Sequence, residues 1–353
     1  MKKNSIVRNF ALSALSCLAL TAMNAANAQS VATAAGASDM SVQLYGLVGT
    51  YVGLMKRSGG PAATAMMGSG GFTTSYWGIR GREDLGGGNA VVFGLESFFQ
   101  PNTGAMGRKA TDPFFSRNAF VGFESKQYGR LTLGRQTNPT YVVMQKLNPF
   151  GSSVVFSPLV LHSFVANYNG VLIGDTVWDN AIEYNTPSLG GLQVTGIYGV
   201  GGVAGQAGIA NIGLHAQYAN GPFYAGASVQ RVRTPLTAGV SEQDAWLGGA
   251  RYKLPFVTMY GAIEGSQTYG LARASSRTYE LGLSVPTGYS GAVLAEWART
   301  SYNASAGWIR NTGSVGYDYF LSKRTDLSVV GMYDKLTSKG AAMSYAVAVR
   351  HTF

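Results

Sequence analysis

Hydrophobic and polar residues alternate along much of this chain with a period of two. In the segment 41–54 the apolar residues Val42, Leu44, Val48, Val52 and Leu54 share one parity, and Gln43, Tyr45, Gly49 and Tyr51 share the other. The pattern recurs in the segment 342–353, where Arg350 lies opposite an unbroken apolar row. Successive side chains of a β-strand point to opposite faces, so this alternation predicts strands with one apolar face. An arginine opposite that row favours a wall with lipid on one side and water on the other.

Turn-forming clusters of Gly, Asn, Pro and Asp divide the chain into about sixteen such segments. Every second connection is short, as at 126–129 and 254–255, and others are longer, as at 56–71 and 101–115. Short turns at one rim, long loops at the other and an even strand number are typical of bacterial barrels. We therefore predict an all-β fold, a transmembrane antiparallel β-barrel of about 16 strands. The predicted strand starts are Ser41, Phe72, Ala90, Ser116, Arg130, Asp179, Gly191, Asn211, Phe223, Gln243, Phe256, Arg277, Gly291, Ile309, Asp326 and Ala342.

One connection, between Gln136 and Asp179, is about forty residues long. Loops of this length are usually functional or disordered. This one is too rich in Val, Leu and Phe to extend into water, so we expect it to fold into the barrel. It is the third long loop of the predicted fold.

The composition supports a membrane barrel. Charged residues make up only 12% of the chain, against about 25% in an average globular protein, while Tyr and Gly are abundant. Beyond the N-terminal segment the chain has no apolar run long enough for a spanning helix. Because backbone polar groups in lipid must be paired within the protein, a closed barrel is the remaining way to span a membrane.

The first 28 residues have the pattern of a secretory signal peptide. Lys2, Lys3 and Arg8 precede the apolar run 11–23, and residues 26–28 (ANA) have the small-x-small form of a cleavage site. The apolar run is well short of the roughly 20 residues that a spanning helix needs. We expect residues 1–28 to be cleaved and residues 29–353 to form the barrel. Cleavage removes three cations and Cys17, so the net charge falls from +10 to +7 and the mature protein has no disulfide.

Several segments resemble the general porins of β-proteobacteria, and the resemblance spans essentially the whole mature chain. It implies a homotrimeric outer-membrane channel, in contact with lipid and lipopolysaccharide, that passes ions and small hydrophilic solutes. It also implies that the third loop forms a constriction and that Phe353 is read by the barrel-assembly machinery. The matching segments are 41–46 (SVQLYG), 77–90 (WGIRGREDLGGGNA), 95–97 (LES), 117–122 (RNAFVG), 129–136 (GRLTLGRQ) and 350–353 (RHTF).

Charges at a constriction decide which ions enter a pore. Parity places Arg80 and Arg82 on the face opposite the apolar residues of their strand, so we expect both in the lumen. The resemblance places Arg117 and Arg135 at the constriction wall as well. Arg135, however, has the parity of its apolar neighbours, so a bulge or strand end must turn it inward. Glu96 has lumen parity and is expected to pair with these cations.

The third loop departs from the family pattern. Cation-preferring relatives carry a Pro-Glu-Phe-Gly element there, whereas the matching stretch here is 148–151 (NPFG), which includes Phe150 and no carboxylate. Between residues 139 and 176 the single acid is Asp175, while Lys146 and His162 are expected to add positive character. We expect these four loop residues at the constriction and predict a weak anion preference.

Other functions are less consistent with the sequence. An outer-membrane enzyme needs a Ser/His or Asp/His pair, and His162 adjoins Ser163, but adjacent strand-like residues point apart. An adhesin is disfavoured because the exposed loops contain no repeats or long insertions. A substrate-specific channel with a narrow, apolar constriction loop is the closer alternative. No phosphate loop, metal-ligand cluster or nucleotide motif is present, so we expect no enzymatic activity, no cofactor and no nucleic-acid partner.

Overall fold

The computed structural model describes residues 40–168, 174–202, 209–233, 239–271, 273–288, 290–303 and 307–353, and the expected signal peptide lies outside these ranges. Most of the described residues belong to one antiparallel sheet. Its strands are β1 (Met40–Met55), β2 (Thr64–Ser69), β3 (Tyr76–Gly86), β4 (Asn89–Phe98), β5 (Asn118–Ser125), β6 (Gly129–Thr137), β7 (Val177–Asn185), β8 (Leu192–Val200), β9 (Ala210–Asn220), β10 (Phe223–Val232), β11 (Val240–Lys253), β12 (Thr258–Gly270), β13 (Ala274–Thr287), β14 (Gly291–Asn303), β15 (Trp308–Phe320), β16 (Thr325–Leu336) and β17 (Ala342–Thr352). Between β6 and β7 lie the helices α1 (Pro139–Met144) and α2 (Pro158–Phe164) and a 3-10 turn, Ala166–Tyr168.

The sheet closes into a barrel with sixteen strand positions. Strands β2 and β3 both pair with β1 and together occupy one position. The first and last strands pair from Leu47 opposite Thr352 to Leu54 opposite Tyr345. Reciprocal backbone hydrogen bonds of 3.1 Å between residues 46 and 353 complete the closure. The antiparallel sixteen-stranded barrel predicted from the alternation is confirmed.

The second barrel position differs from the prediction, which began a strand at Phe72. Part of the expected loop is strand β2, and the chain then bends before β3 begins. Gly70 and Gly71 adopt φ angles of +87° and +112°, which lie in the left-handed region that favours glycine. The bend turns the Phe72 ring into the barrel, where its centroid lies 5.6 Å from that of Phe150 in the third loop. The period-two pattern gives no information about packing across the barrel interior, so it did not predict this bend.

The two faces of the wall follow the predicted alternation. Along β17 the odd-numbered apolar residues are exposed on the outer face, and the even-numbered small residues are buried on the inner face. Arg350 lies on the inner face and donates a hydrogen bond to Asp326 at 2.8 Å. The apolar row therefore faces outward and the charged residues face the interior.

The connections also divide between the two rims as expected. At one edge of the barrel, here named the short-turn rim, the connections are between two and six residues long. The opposite edge, named the long-loop rim, carries the two longest connections, residues 99–117 and 138–176. The second of these is the third loop.

Candidate pore constriction

The third loop folds locally because each of its helices has a defined start. Asn138 caps α1 by accepting a hydrogen bond from the backbone N–H of Thr140 at 2.9 Å. Ser157 caps α2 by accepting one from Val160 N–H at 3.3 Å. A proline follows each cap, and its fixed φ suits the first turn of a helix. Within the ranges given above, no helix is long and apolar enough to cross a membrane.

The loop lies inside the barrel, as predicted, and apolar packing holds it there. Met144, Leu147 and Leu159 are fully buried against the inner faces of β10, β11 and β12. Phe150 and Phe156 are buried in a second cluster with residues of β1, β14, β16 and β17. Removing each large apolar side chain from water contributes roughly 1.5–3 kcal/mol. The apolar residues of these clusters, Phe150 included, therefore face the wall rather than the pore, whereas Pro139 and Val142 line a cavity.

Two wall glutamates bind the α2 segment. Glu296 Oε1 accepts hydrogen bonds from Ser157 Oγ at 2.9 Å and from the backbone N–H of Leu159 at 2.8 Å. Glu264 Oε2 lies 2.6 Å from Ser163 Oγ. Both carboxyl groups are buried beneath the loop. They attach the loop to the wall and do not face the pore.

His162 links α2 to the wall through a hydrogen-bond chain with a defined direction. Thr312 Oγ1 donates to Asp334 at 2.9 Å, so it accepts from His162 Nε2–H at 2.7 Å. The other ring nitrogen then accepts from Thr300 Oγ1 at 2.8 Å. Burial and the Arg310 charge together lower the pKa of His162 to about 3, with Asp334 acting in the opposite direction. The imidazole is neutral, so the positive character expected from the sequence at this position is wrong.

A buried ion pair completes this network. Arg310 donates to Asp334 Oδ1 at 2.8 Å, and both side chains are 1% exposed. The ring of Tyr168, at the end of the 3-10 turn, lies 4.5 Å from the guanidinium carbon. Asp334 also accepts from the backbone N–H of Ser58 at 2.8 Å. These additional contacts offset part of the cost of burying two charges. Through Ser58 and Tyr168 they also attach the connection after β1 and the third loop to the same part of the wall.

The structure brings four of the predicted wall residues together: Arg80 and Arg82 of β3, Glu96 of β4, and Arg117, which directly precedes β5. Glu96 accepts hydrogen bonds from Arg117, Tyr45 and Asn118. Arg117 also stacks on the ring of Tyr76 at 4.2 Å. The predicted pairing of Glu96 with a wall arginine is therefore present, and it leaves this part of the wall locally neutral.

The other two wall arginines differ in their partners. Arg82 Nη2 lies 3.3 Å from Glu124 Oε1, and both side chains are more than a third exposed. Arg80 donates to Gln43 Oε1 at 2.7 and 3.0 Å and lies 4.7 Å from the centroid of the Tyr45 ring. Among the described residues no carboxylate lies within 4.0 Å of Arg80. Arg80 therefore contributes an uncompensated positive charge.

Arg130 joins this group, although the sequence analysis missed it. It lines a cavity of about 490 Å³ together with Arg80 and Arg82. It also lines a second cavity of about 650 Å³ beside the first residues of the third loop. Its guanidinium lies over the ring of Phe120 at 5.0 Å. The signal was its parity, which is opposite to that of Leu131 in the same strand.

Arg135 lies apart from this group. It pairs with Asp179 and donates to the backbone carbonyl of Ser116 at 3.0 Å. The irregularity that was expected to turn it inward is present, but the extra residue belongs to β7, where Asn180 has a φ of +52°. Because β6 itself continues without insertion, Arg135 keeps the parity of Leu133. The geometry therefore does not support the predicted placement of Arg135 at the constriction wall.

The remaining charged loop residues also have partners outside the arginine group. Asp175 pairs with Arg108 of the connection 99–117 at 2.8 Å. Burial disfavours its charged form, but the hydrogen bonds from Arg108 outweigh this and lower the pKa of Asp175. Lys146 donates to Gln217 at 2.8 Å, and burial together with the Arg251 charge lowers its pKa. Asp175 therefore does not balance the arginines of β3.

Charges on the inner wall thus form two groups with different exposure. Acids on β12 to β16 are all less than 10% exposed, and two of them, Glu264 and Glu296, are bonded to the third loop. Arginines on β3 and β6 line the open cavities. The buried acids are Glu264, Glu280, Glu296, Asp318, Asp326 and Asp334.

Comparisons with known proteins agree with this architecture. Residues 13–339 match the family described as Gram-negative porin. An outer-membrane porin of Bordetella pertussis is 28% identical over 327 residues, covering 79% of this chain and 82% of the relative. Outer membrane porin protein 32 of Delftia acidovorans is 27% identical over 342 residues, covering 89% and 94%. The solved anion-selective porin from Comamonas acidovorans has a TM-score of 0.72 at 26% identity, covering 89% of this chain and all of that one. An outer-membrane protein of Vibrio cholerae, 12% identical with a TM-score of 0.69 and coverage of 91% and 100%, shares the fold.

Proposed function

The chain belongs to the Gram-negative porin family and forms an outer-membrane channel, and from this premise we propose that the channel weakly prefers anions. The observation that carries the proposal is the unequal exposure of charges on the inner wall. Six acids of β12 to β16 are buried, whereas Arg80, Arg82 and Arg130 line water-accessible cavities. A fixed charge in a narrow aqueous passage biases which ion enters. The anion selectivity of the Comamonas relative supports the same sign.

Pairing among the exposed groups explains why the proposed preference is weak. Arg117 is bound to Glu96, and Arg82 lies near Glu124, so these pairs add little net charge. Arg80 and Arg130 line the smaller cavity, and among the described residues neither has a carboxylate within 4.0 Å. Acids of the larger cavity, Glu124 and Glu183, face Lys126 and Arg130 there. A permeating ion therefore meets a small net positive charge.

The geometry favours a general porin over a substrate-specific channel. That alternative assumed that apolar side chains of the third loop narrow the pore, but most of them are buried against the wall, although Pro139 and Val142 line the larger cavity. We propose passive diffusion of ions and small hydrophilic solutes through the space that remains. We propose no catalytic role for His162 and Ser163, because each is bonded to the wall rather than to the other.

Assembly is proposed on the same premise. We propose a signal peptide of residues 1–28, a mature chain of residues 29–353 and a homotrimer in contact with lipid and lipopolysaccharide. Phe353 pairs with Gly46 at the closing seam of the barrel, a position compatible with recognition by the barrel-assembly machinery before closure.

Reversal potentials of single channels in a potassium chloride gradient test the proposed selectivity. The expected potential has the sign of anion preference and grows as ionic strength falls, because screening weakens with dilution. A potential with the cation sign at low salt would refute the proposal.

A further inference from the structure

The two buried glutamates that hold α2 differ in their hydrogen-bond geometry. At the start of the helix Glu296 accepts two hydrogen bonds, from Ser157 Oγ and from Leu159 N–H. At the end of the helix Glu264 Oε2 lies 2.6 Å from Ser163 Oγ. The same hydroxyl oxygen lies 2.8 Å from the backbone carbonyl oxygen of Leu159. The Ser163 side chain is therefore placed between two oxygen atoms.

The hydroxyl of Ser163 has a single hydrogen for these two contacts. A carbonyl oxygen can only accept, so the contact with Leu159 uses that hydrogen, as serine bonds to the carbonyl four residues earlier in a helix do. The contact with Glu264 then has a hydrogen only if the carboxyl group supplies it, and 2.6 Å is an ordinary O–H···O distance. Both contacts are satisfied when Glu264 is a neutral carboxylic acid that donates to Ser163.

The surroundings of Glu264 also disfavour an ionised carboxylate. The side chain is fully buried, and in the described part of the chain no Lys, Arg or His nitrogen lies within 4.0 Å of it. Leu247 and Thr278 lie opposite it on β11 and β13. A buried charge without a partner costs far more than a buried neutral acid with a hydrogen bond. The titratable groups that face the interior from the elements around it include His162 of α2, Glu280 of β13, Glu296 of β14, Arg251 of β11 and Tyr260 of β12 itself.

We propose that Glu264 fastens the end of α2 as a neutral carboxylic acid, and that its ionisation at alkaline pH releases the third loop and widens the passage. An ionised Glu264 faces a hydroxyl whose hydrogen is already used by Leu159, and it leaves a buried charge without a partner. Release of the loop gives that charge access to water. Glu264 is a positioning residue, because it does not line the pore and acts through the loop. The inference rests on the proposed function, in which the third loop occupies part of a diffusion channel.

Infrared difference spectra test the protonation state directly. The carbonyl stretch of protonated carboxyl groups is compared at pH 7 between the folded wild-type protein and Glu264→Gln, whose amide can donate a hydrogen bond but cannot ionise. The variant is expected to lose the intensity of one carboxylic acid. Glu242→Gln is the matched control and should lose none, because Glu242 is paired with Arg233 at 2.6 Å. Equal bands in the wild type and Glu264→Gln would overturn the proposal. Heat-modifiable migration in gels confirms that each variant is folded.

Ser163→Ala tests the direction of the hydrogen bond. If Glu264 donates to Ser163, the variant loses the acceptor that stabilises the neutral acid. The infrared band should then disappear at a pH up to about one unit lower than in the wild type. A shift to higher pH would make Ser163 the donor to an ionised carboxylate, and this result, like an unchanged pH, would contradict the proposal.

Single-channel recordings from neutral to alkaline pH test the release of the loop. Because one proton is lost, the ratio of wide to narrow conductance levels should rise up to tenfold per pH unit in the wild type. The ratio should stay level in Glu264→Gln. A rise of equal size in both proteins would assign the change to other groups and refute the release step. These readouts are protonation and conductance rather than ion selectivity, so this inference and the proposed anion preference fail separately.

Discussion

Replacing Arg80 by glutamine removes an exposed wall cation that has no carboxylate within 4.0 Å among the described residues. We expect the anion preference of the channel to fall. A unit charge about 7 Å from a permeating ion contributes roughly 0.6 kcal/mol at the dielectric constant of water and roughly 2.4 kcal/mol at an effective value of 20. Because Arg80 is exposed, the lower figure applies, and it corresponds to about a threefold change in anion entry.

The assay is the reversal potential of single channels at two salt concentrations. The Debye length is about 10 Å at 0.1 M and about 30 Å at 0.01 M, so the effect of the substitution should be larger in dilute salt. Arg80→Lys keeps the charge and should keep the preference. The double variant Arg117→Gln/Glu96→Gln removes the bound pair of opposite charges and should change the preference little.

Two results would contradict the reasoning. If Arg80→Gln leaves the reversal potential unchanged at 0.01 M, the cavity lined by Arg80 is not on the conduction path. If Arg80→Lys lowers the preference as much as Arg80→Gln does, the shape and hydrogen bonds of the guanidinium matter, and the charge argument fails.

Three further outcomes are expected. Deleting residues 147–163 should raise single-channel conductance, since this segment fills part of the lumen; unchanged conductance would place the constriction elsewhere. Lowering the pH from 7 to 4 should destabilise the docked third loop more in the wild type than in His162→Gln, because an undocked His162 gains a proton below about 6.5 whereas the docked one does so near 3, and the state that binds more protons gains stability as the pH falls; an equal change in current noise in both proteins would exclude this histidine as the cause. Deleting Phe353 should lower surface levels in a quantitative blot, since its backbone bonds to Gly46 are lost; unchanged levels would remove its proposed role.

Strand parity predicted much of the barrel because it is a local property of the chain. It placed Arg80, Arg82 and Glu96 on the inner face, where the structure has them, and it would also have identified Arg130. Arg135 also keeps the parity of its apolar neighbours; its placement at the constriction came from the family resemblance and an expected bulge, whereas the extra residue belongs to the neighbouring strand, at Asn180. No pattern within one strand contains that information.

The surroundings of the ionisable residues in the third loop could not be predicted from the sequence either, because their partners are distant along the chain. His162 is neutral because Thr300 and Thr312, 138 and 150 residues away, bury it in the wall. Asp175 was expected to face the pore, but its partner Arg108 comes from a different loop, 67 residues earlier. An ionisable residue in a long loop has its charge set by the surface on which the loop docks, and that surface is known only from the fold.

The apolar docking of the third loop means that two parts of this molecule respond differently to temperature. The barrel is held by its closed ladder of backbone hydrogen bonds, and its outer apolar face gains nothing from avoiding water while it lies in lipid. The loop instead packs Phe150, Phe156 and Leu159 against a wall that water would otherwise wet, and this driving force is entropic near room temperature and weakens on cooling. Cooling or moderate urea should therefore release the third loop, and so widen the passage, well before it unfolds the barrel wall.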